Sequence, residues 1–172
     1  MTGAVLEHGL EFAAVATDAR GLDEPALLAI IGPAQLIGVP PQSGEEEWSF
    51  QTRALSHGAA SLRLGIDLWA ARVFPVRKAR STFAGTILVG RAASSDVVLD
   101  HASVSKLHAR IRAAADGTYF ISDAGSRNGT FVGGRRLDST EVALPFGSKL
   151  TVGDWDLRFS RLADTIGLLR SS

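Results

Sequence analysis

Three short stretches carry residue types that could bind an anion. Arg91 follows Gly90 at the end of the apolar run Ile87 to Val89. A planar guanidinium presents a fork of donors that matches two phosphate oxygens, and it stays charged at working pH. The next stretch is Ser103-Val104-Ser105-Lys106-Leu107-His108. Ser105 can donate its hydroxyl to a phosphate oxygen, Lys106 adds a positive charge or a backbone N–H beside it, and a ring N–H of His108 could brace the loop through a backbone carbonyl. The last is Ser126-Arg127-Asn128-Gly129-Thr130. Gly129 permits a positive φ, so Asn128 can project its amide from a tight turn, and an amide offers the donor and acceptor needed to hold a peptide main chain. Taken singly, each stretch also describes something plain: an arginine at a strand end, a loop with its packing, and a hairpin turn.

The charge distribution singles out the same region. The chain has 172 residues and equal numbers of acids and bases, 18 of each. Residues 1–71 nevertheless hold nine acids against three bases, residues 72–136 eleven bases against four acids, and residues 137–172 five acids against four bases. A positive middle segment in a neutral chain points to an anionic partner met locally, not to general coating of nucleic acid. The absence of cysteine excludes disulfides and thiolate metal sites. With acids where a secretory signal would be basic, and no apolar run of membrane-spanning length, a cytoplasmic protein without membrane insertion is expected.

The elements that position these loops change character near residue 60. Before it, Asp23-Glu24-Pro25 reads as a helix start, and the apolar run Ala26 to Ile31 ends at Gly32-Pro33. Leu6, Leu10, Ala13 and Ala14 could line an earlier short helix, Pro40 to Glu47 reads as a linker, and Trp48 to Leu55 as a strand. After it, Asp116-Gly117, Gly133-Gly134 and Gly153-Asp154 each separate short apolar strands, the signature of hairpins in an antiparallel sandwich. The expected organisation is a partly helical N-terminal segment over 1–60, an all-β sandwich over 66–162, and a tail over 163–172 that could form a helical turn or two.

Gly-Arg, then Ser-x-x-His, then Ser-x-Asn-Gly-Thr, in this order within predicted β-structure, resembles the forkhead-associated (FHA) domain. Ser95-Asp96-Val97-Val98-Leu99, Asp123, Phe131-Val132-Gly133-Gly134 and Phe146-Gly147 fit the same pattern. The resemblance implies a sandwich of about eleven strands that binds phosphothreonine peptides with loops at one end. It implies that Arg91 and Ser105 are direct phosphate ligands, that Lys106 and Arg127 supply further contacts, and that Asn128 holds the peptide main chain. Gly90 and His108 are then supports of loop geometry, and Gly129 and Thr130 shape the third loop. Some members carry threonine or serine where this chain has Arg127. That residue could strengthen phosphate capture, meet an acidic ligand residue, or act through its backbone N–H.

The resulting expectation is a phosphothreonine-dependent adaptor in a Ser/Thr-kinase pathway, with a kinase or its substrate as partner; the Ala-, Gly- and Arg-rich composition looks bacterial. The alternative is a phospho-independent assembly domain, such as a secretion-system accessory. Ser105, His108 and Asp123 invite comparison with a catalytic triad, but Ser105 and His108 lie too close in sequence to identify one. There is no nucleophile elbow, no His-Glu-x-x-His and no glycine-rich phosphate loop, so no enzyme, cofactor or metal is expected. Arg72, Arg77, Lys78 and Arg80 could contact nucleic acid, but they read better as the charged edge of a sheet, and no nucleic-acid partner is expected.

Overall fold

Alternation and turn chemistry set most of the strands. In the computed structural model, which describes residues 9–19, 21–41 and 70–170, the run Trp155–Arg161 (β12) buries Trp155, Leu157 and Phe159 and exposes Asp156. Ala109–Ala113 (β6) likewise buries Ala109 and Ile111 and turns Arg110 outward. Such period-two patterns belong to strands with one face on the core. The three expected hairpins all form. Asp116-Gly117 lies between β6 and Tyr119–Asp123 (β7), Gly133-Gly134 between Thr130–Val132 (β8) and Arg135–Arg136 (β9), and Gly153-Asp154 between Lys149–Val152 (β11) and β12.

The remaining strands are Leu10–Glu11 (β1), Ala34–Val39 (β2), Arg72–Pro75 (β3), Thr86–Gly90 (β4), Val97–Val98 (β5) and Val142–Ala143 (β10). Twelve strands among the described residues form two sheets, ordered β1-β3-β2-β12-β11-β8-β9 and β10-β7-β6-β4-β5. All pairs are antiparallel except β4 with β5. The core between the sheets holds Leu36, Phe74, Ile87, Val89, Ile111, Tyr119, Ile121, Leu150, Trp155, Leu157 and Phe159. Phe146 stacks on Phe159 at 4.8 Å, and Tyr119 meets both rings edge-on.

The structure departs from expectation at Ala34–Val39. This stretch of the N-terminal segment is a central strand, paired with β12 and β3. It is covered on both faces: Leu36 enters the main core, whereas Ile37 enters a second core on the outer side of the seven-stranded sheet. That outer core is built by Phe12–Ala19 (α1), Glu24–Ile31 (α2) and Leu162–Arg170 (α3), through Phe12, Val15, Leu27, Ile31, Leu162 and Ile166. A strand buried on both faces loses the alternation that announces it. Gln35, which interrupts the apolar run, is fully buried; its Nε2 donates to the carbonyls of Ile31 and Gly32, and its Oε1 accepts from the Thr165 hydroxyl at 2.8 Å.

Helix α2 forms as its signals predict, with the Asp23 carboxylate accepting from Ala26 N–H and Gly32 ending it. The earlier helix begins at Phe12, leaving Leu10 in β1, and α3 extends the expected tail helix to nine residues. The expected strand over Trp48 to Leu55 and most of the linker over 40–47 lie outside the described residues.

Candidate functional site

The first two loops are zipped together by main chain. Gly90 ends β4 so close to the second loop that a Cβ on it would stand 2.2 Å from the Lys106 carbonyl oxygen. No side chain fits there, and backbone takes its place. Arg91 N–H donates to Ser105 O at 2.9 Å, Ala92 N–H to Lys106 O at 3.2 Å, and His108 N–H to Val89 O at 2.9 Å. The Arg91 side chain is exposed, and its Nε donates to Val104 O at 3.2 Å. This contact steadies the guanidinium, and its two terminal nitrogens have no hydrogen bond among the described residues.

The third loop is joined to the second through Ser105 and His108. Ser105 Oγ accepts from Arg127 N–H at 3.0 Å, so the hydroxyl proton itself stays available. His108 is fully buried. Its Nδ1 accepts from Ser105 N–H at 3.0 Å, which leaves the proton on Nε2, and Nε2 donates to Gly129 O at 3.0 Å. The ring is therefore a neutral strut between two loops. The triad comparison fails on this geometry, because both ring nitrogens are engaged by backbone. Asp123 faces elsewhere.

Asp123 organises the third loop. It is buried, and its carboxylate accepts from Gly125 N–H and Ser126 N–H at 2.8 Å, from Ser126 Oγ at 2.6 Å, and from the buried Thr130 hydroxyl at 2.7 Å. Burial alone would raise its pKa, but the Ser126 and Thr130 hydroxyls and the two backbone N–H groups outweigh that and hold it below the usual carboxylate range. Gly129 follows at φ +87, which only glycine adopts without strain. Against it lies Arg136 of β9, whose Nε would be 2.9 Å from a Cβ at that position.

Asn128 is exposed, and its Nδ2 donates to Ser103 O at 2.7 Å. Lys106 and Arg127 are exposed too, and neither side chain has a partner among the described residues. The structure thus brings Arg91, Ser105, Lys106, Arg127 and Asn128 to one end of the sandwich. Gly90, His108, Gly129 and Thr130 lie beneath them as the bonded frame.

Asp96, within the Ser95–Leu99 stretch, has a structural part that its sequence neighbours do not announce. Its buried carboxylate accepts from the N–H groups of Ala79, Arg80, Ser81 and Leu88 and from the Ser81 hydroxyl, and it pairs with Lys78 at 3.1 Å. Burial opposes its charge, yet the Ser81 hydroxyl and the backbone N–H groups hold its pKa far below the usual range. This clamp also occupies the basic stretch. Lys78 is on Asp96, Arg77 donates to Ala29 O, and Arg80 to Ala93 O. These three bases have intramolecular work.

Comparison with known proteins bears on the same residues. The FHA domain family model matches residues 87–153. An oxoglutarate dehydrogenase inhibitor of Corynebacterium glutamicum is 33% identical over 116 residues, which are 67% of this chain and 79% of that protein. A homologue of a protein phosphatase 1 regulatory inhibitor subunit from Arabidopsis thaliana is 46% identical over 56 residues, 32% of this chain but 15% of that protein. Several other relatives are matched over half their length or less. Among solved structures, the FHA domain of a Chlamydia trachomatis protein is 30% identical with a TM-score of 0.42, covering 45% of this chain and 79% of that one.

Proposed function

This chain belongs to the FHA family, and from that premise we propose that it is a phosphothreonine-dependent peptide-binding adaptor. The observation that carries the reading is the pairing of the first two loops. Arg91 N–H bonds Ser105 O at 2.9 Å, so an arginine whose terminal nitrogens and a serine whose hydroxyl proton are unengaged among the described residues are held side by side. Such a pair suits an anion with several acceptor oxygens. A phosphate carries nearly −2 charge and three acceptors, more than a carboxylate offers. Lys106 and the Arg127 guanidinium stand by as further cations, and Asn128 presents an amide to the peptide main chain.

In this reading the module spans residues 66–162 and takes strand β2 from the N-terminal segment. It is non-catalytic, acts in the cytoplasm of a bacterium, and recognises a phosphorylated kinase or kinase substrate. The inhibitor named among its relatives supports a regulatory part of this kind. No helix among the described residues is long and apolar enough to cross a membrane. Fluorescence anisotropy against a degenerate phosphothreonine-peptide library, with the same library carrying threonine or aspartate, tests the proposal. Only the phosphorylated peptides should bind in the micromolar range, and equal binding of the threonine library would refute it.

A further inference from the structure

The bond from Asn128 Nδ2 to Ser103 O, at 2.7 Å, has a directional consequence. A carbonyl can only accept, so the contact fixes which end of the amide faces Ser103, leaving Oδ1 and the second N–H for other partners. Ser103 is itself held from several sides. Its backbone N–H, at 3.3 Å, and its hydroxyl, at 2.8 Å, both meet His101 Nδ1. Its hydroxyl oxygen accepts from Asp154 N–H at 2.9 Å. Gly153, at φ +59, lies so close that a Cβ on it would stand 2.7 Å from both Ser103 O and Ser103 Oγ. Gly153 N–H also reaches the carbonyl of Gly129, the residue after Asn128, at 3.4 Å. The β11–β12 turn therefore touches both loops that flank the Asn128 side chain.

We propose that the Gly153–Asp154 turn, acting through Ser103, positions the Asn128 amide and so sets the main-chain part of peptide recognition. The inference rests on the reading of Asn128 as a peptide main-chain ligand. Ser103 and Gly153 are positioning residues that leave the phosphate contacts of Arg91 and Ser105 intact. In Ser103→Ala the hydroxyl links to Asp154 and His101 are lost. In Gly153→Ala the new methyl group pushes Ser103 away from the turn. Either change releases the carbonyl that orients Asn128.

The test uses a short phosphothreonine peptide and its derivatives N-methylated at the phosphothreonine or at a neighbouring residue, with Asn128→Ala as reference. Wild type should discriminate against one N-methylated derivative by roughly threefold to tenfold, the worth of one net hydrogen bond. Ser103→Ala and Gly153→Ala should bind the unmodified peptide more weakly by a similar factor and lose that discrimination, as Asn128→Ala does. Inorganic phosphate should compete equally well against wild type and both variants, and Ser103→Ala carries the test should Gly153→Ala fail to fold. Full discrimination retained in Ser103→Ala, or weakened phosphate competition, would overturn the inference while leaving the functional reading intact. A wild type that does not distinguish phosphorylated from unphosphorylated peptide would overturn the functional reading, and this inference with it.

Discussion

Replacement of His108 by alanine tests the frame beneath the loops. The imidazole is fully buried and makes two hydrogen bonds, accepting from Ser105 N–H and donating to Gly129 O, each at 3.0 Å. Alanine removes both at once. A buried polar group left without a partner costs about 1–3 kcal/mol. The Gly129 carbonyl keeps the longer bond from Gly153 N–H at 3.4 Å, and Ser105 is only half-buried, so both groups fall towards the lower end. The vacated ring volume adds a packing loss, offset in part by any water that enters. The expected sum is about 2–4 kcal/mol, a large share of the 5–15 kcal/mol typical of a domain. Urea denaturation should show this as a lower midpoint at unchanged slope. Phosphopeptide affinity, measured where the variant is still folded, should fall too, because Ser105 and the third loop lose their common support. A stability loss below about 1 kcal/mol would refute the view that this ring joins the two loops.

Two further perturbations probe the scaffold. Gly90→Ala places a methyl group 2.2 Å from the Lys106 carbonyl oxygen, against backbone that cannot yield cheaply. It should destabilise the fold by about 1–3 kcal/mol and weaken phosphopeptide binding, readable by thermal melts and titration. The buried carboxylates make the protein acid-sensitive. Asp96 and Asp123 both have folded-state pKa values below their ordinary ones, so their stabilisation is complete above about pH 4 and is lost as pH falls through the depressed values. Asp96→Asn should lower stability at neutral pH, because an amide nitrogen then faces Leu88 N–H, Ser81 or Lys78, and should flatten the acid limb of the stability profile; an unchanged limb would count against the clamp.

The three hairpins were legible because each is local: two turn residues between strands whose alternation shows through the sequence. Helix α2 was legible for the same reason, from Asp23 at one end and Gly32 at the other. Strand β2 was hidden because helices cover its second face, so Leu36 and Ile37 are both buried and the period vanishes. At the site, the residues that meet at the loop end were recognisable by type and order. Their supports were less so. Asp123 with Ser126 could be read as a side chain bonding its own turn. Asp96 capping the Ala79–Ser81 backbone, and Gly153 against Ser103, join residues far apart in the chain and exist only once both sheets have closed. Arg136 came into view only because its strand runs beside Gly129.

The most direct test is a calorimetric titration of wild type and Arg91→Ala with one phosphothreonine peptide and its unphosphorylated counterpart. Arg91 is exposed and its backbone N–H is unaffected by the substitution, so the variant should fold as wild type does. A charge-assisted hydrogen bond contributes about 1.5–3 kcal/mol, so affinity should drop roughly tenfold to a hundredfold or more. The unphosphorylated peptide should bind neither protein. Equal affinity of wild type and Arg91→Ala for the phosphopeptide would contradict the account.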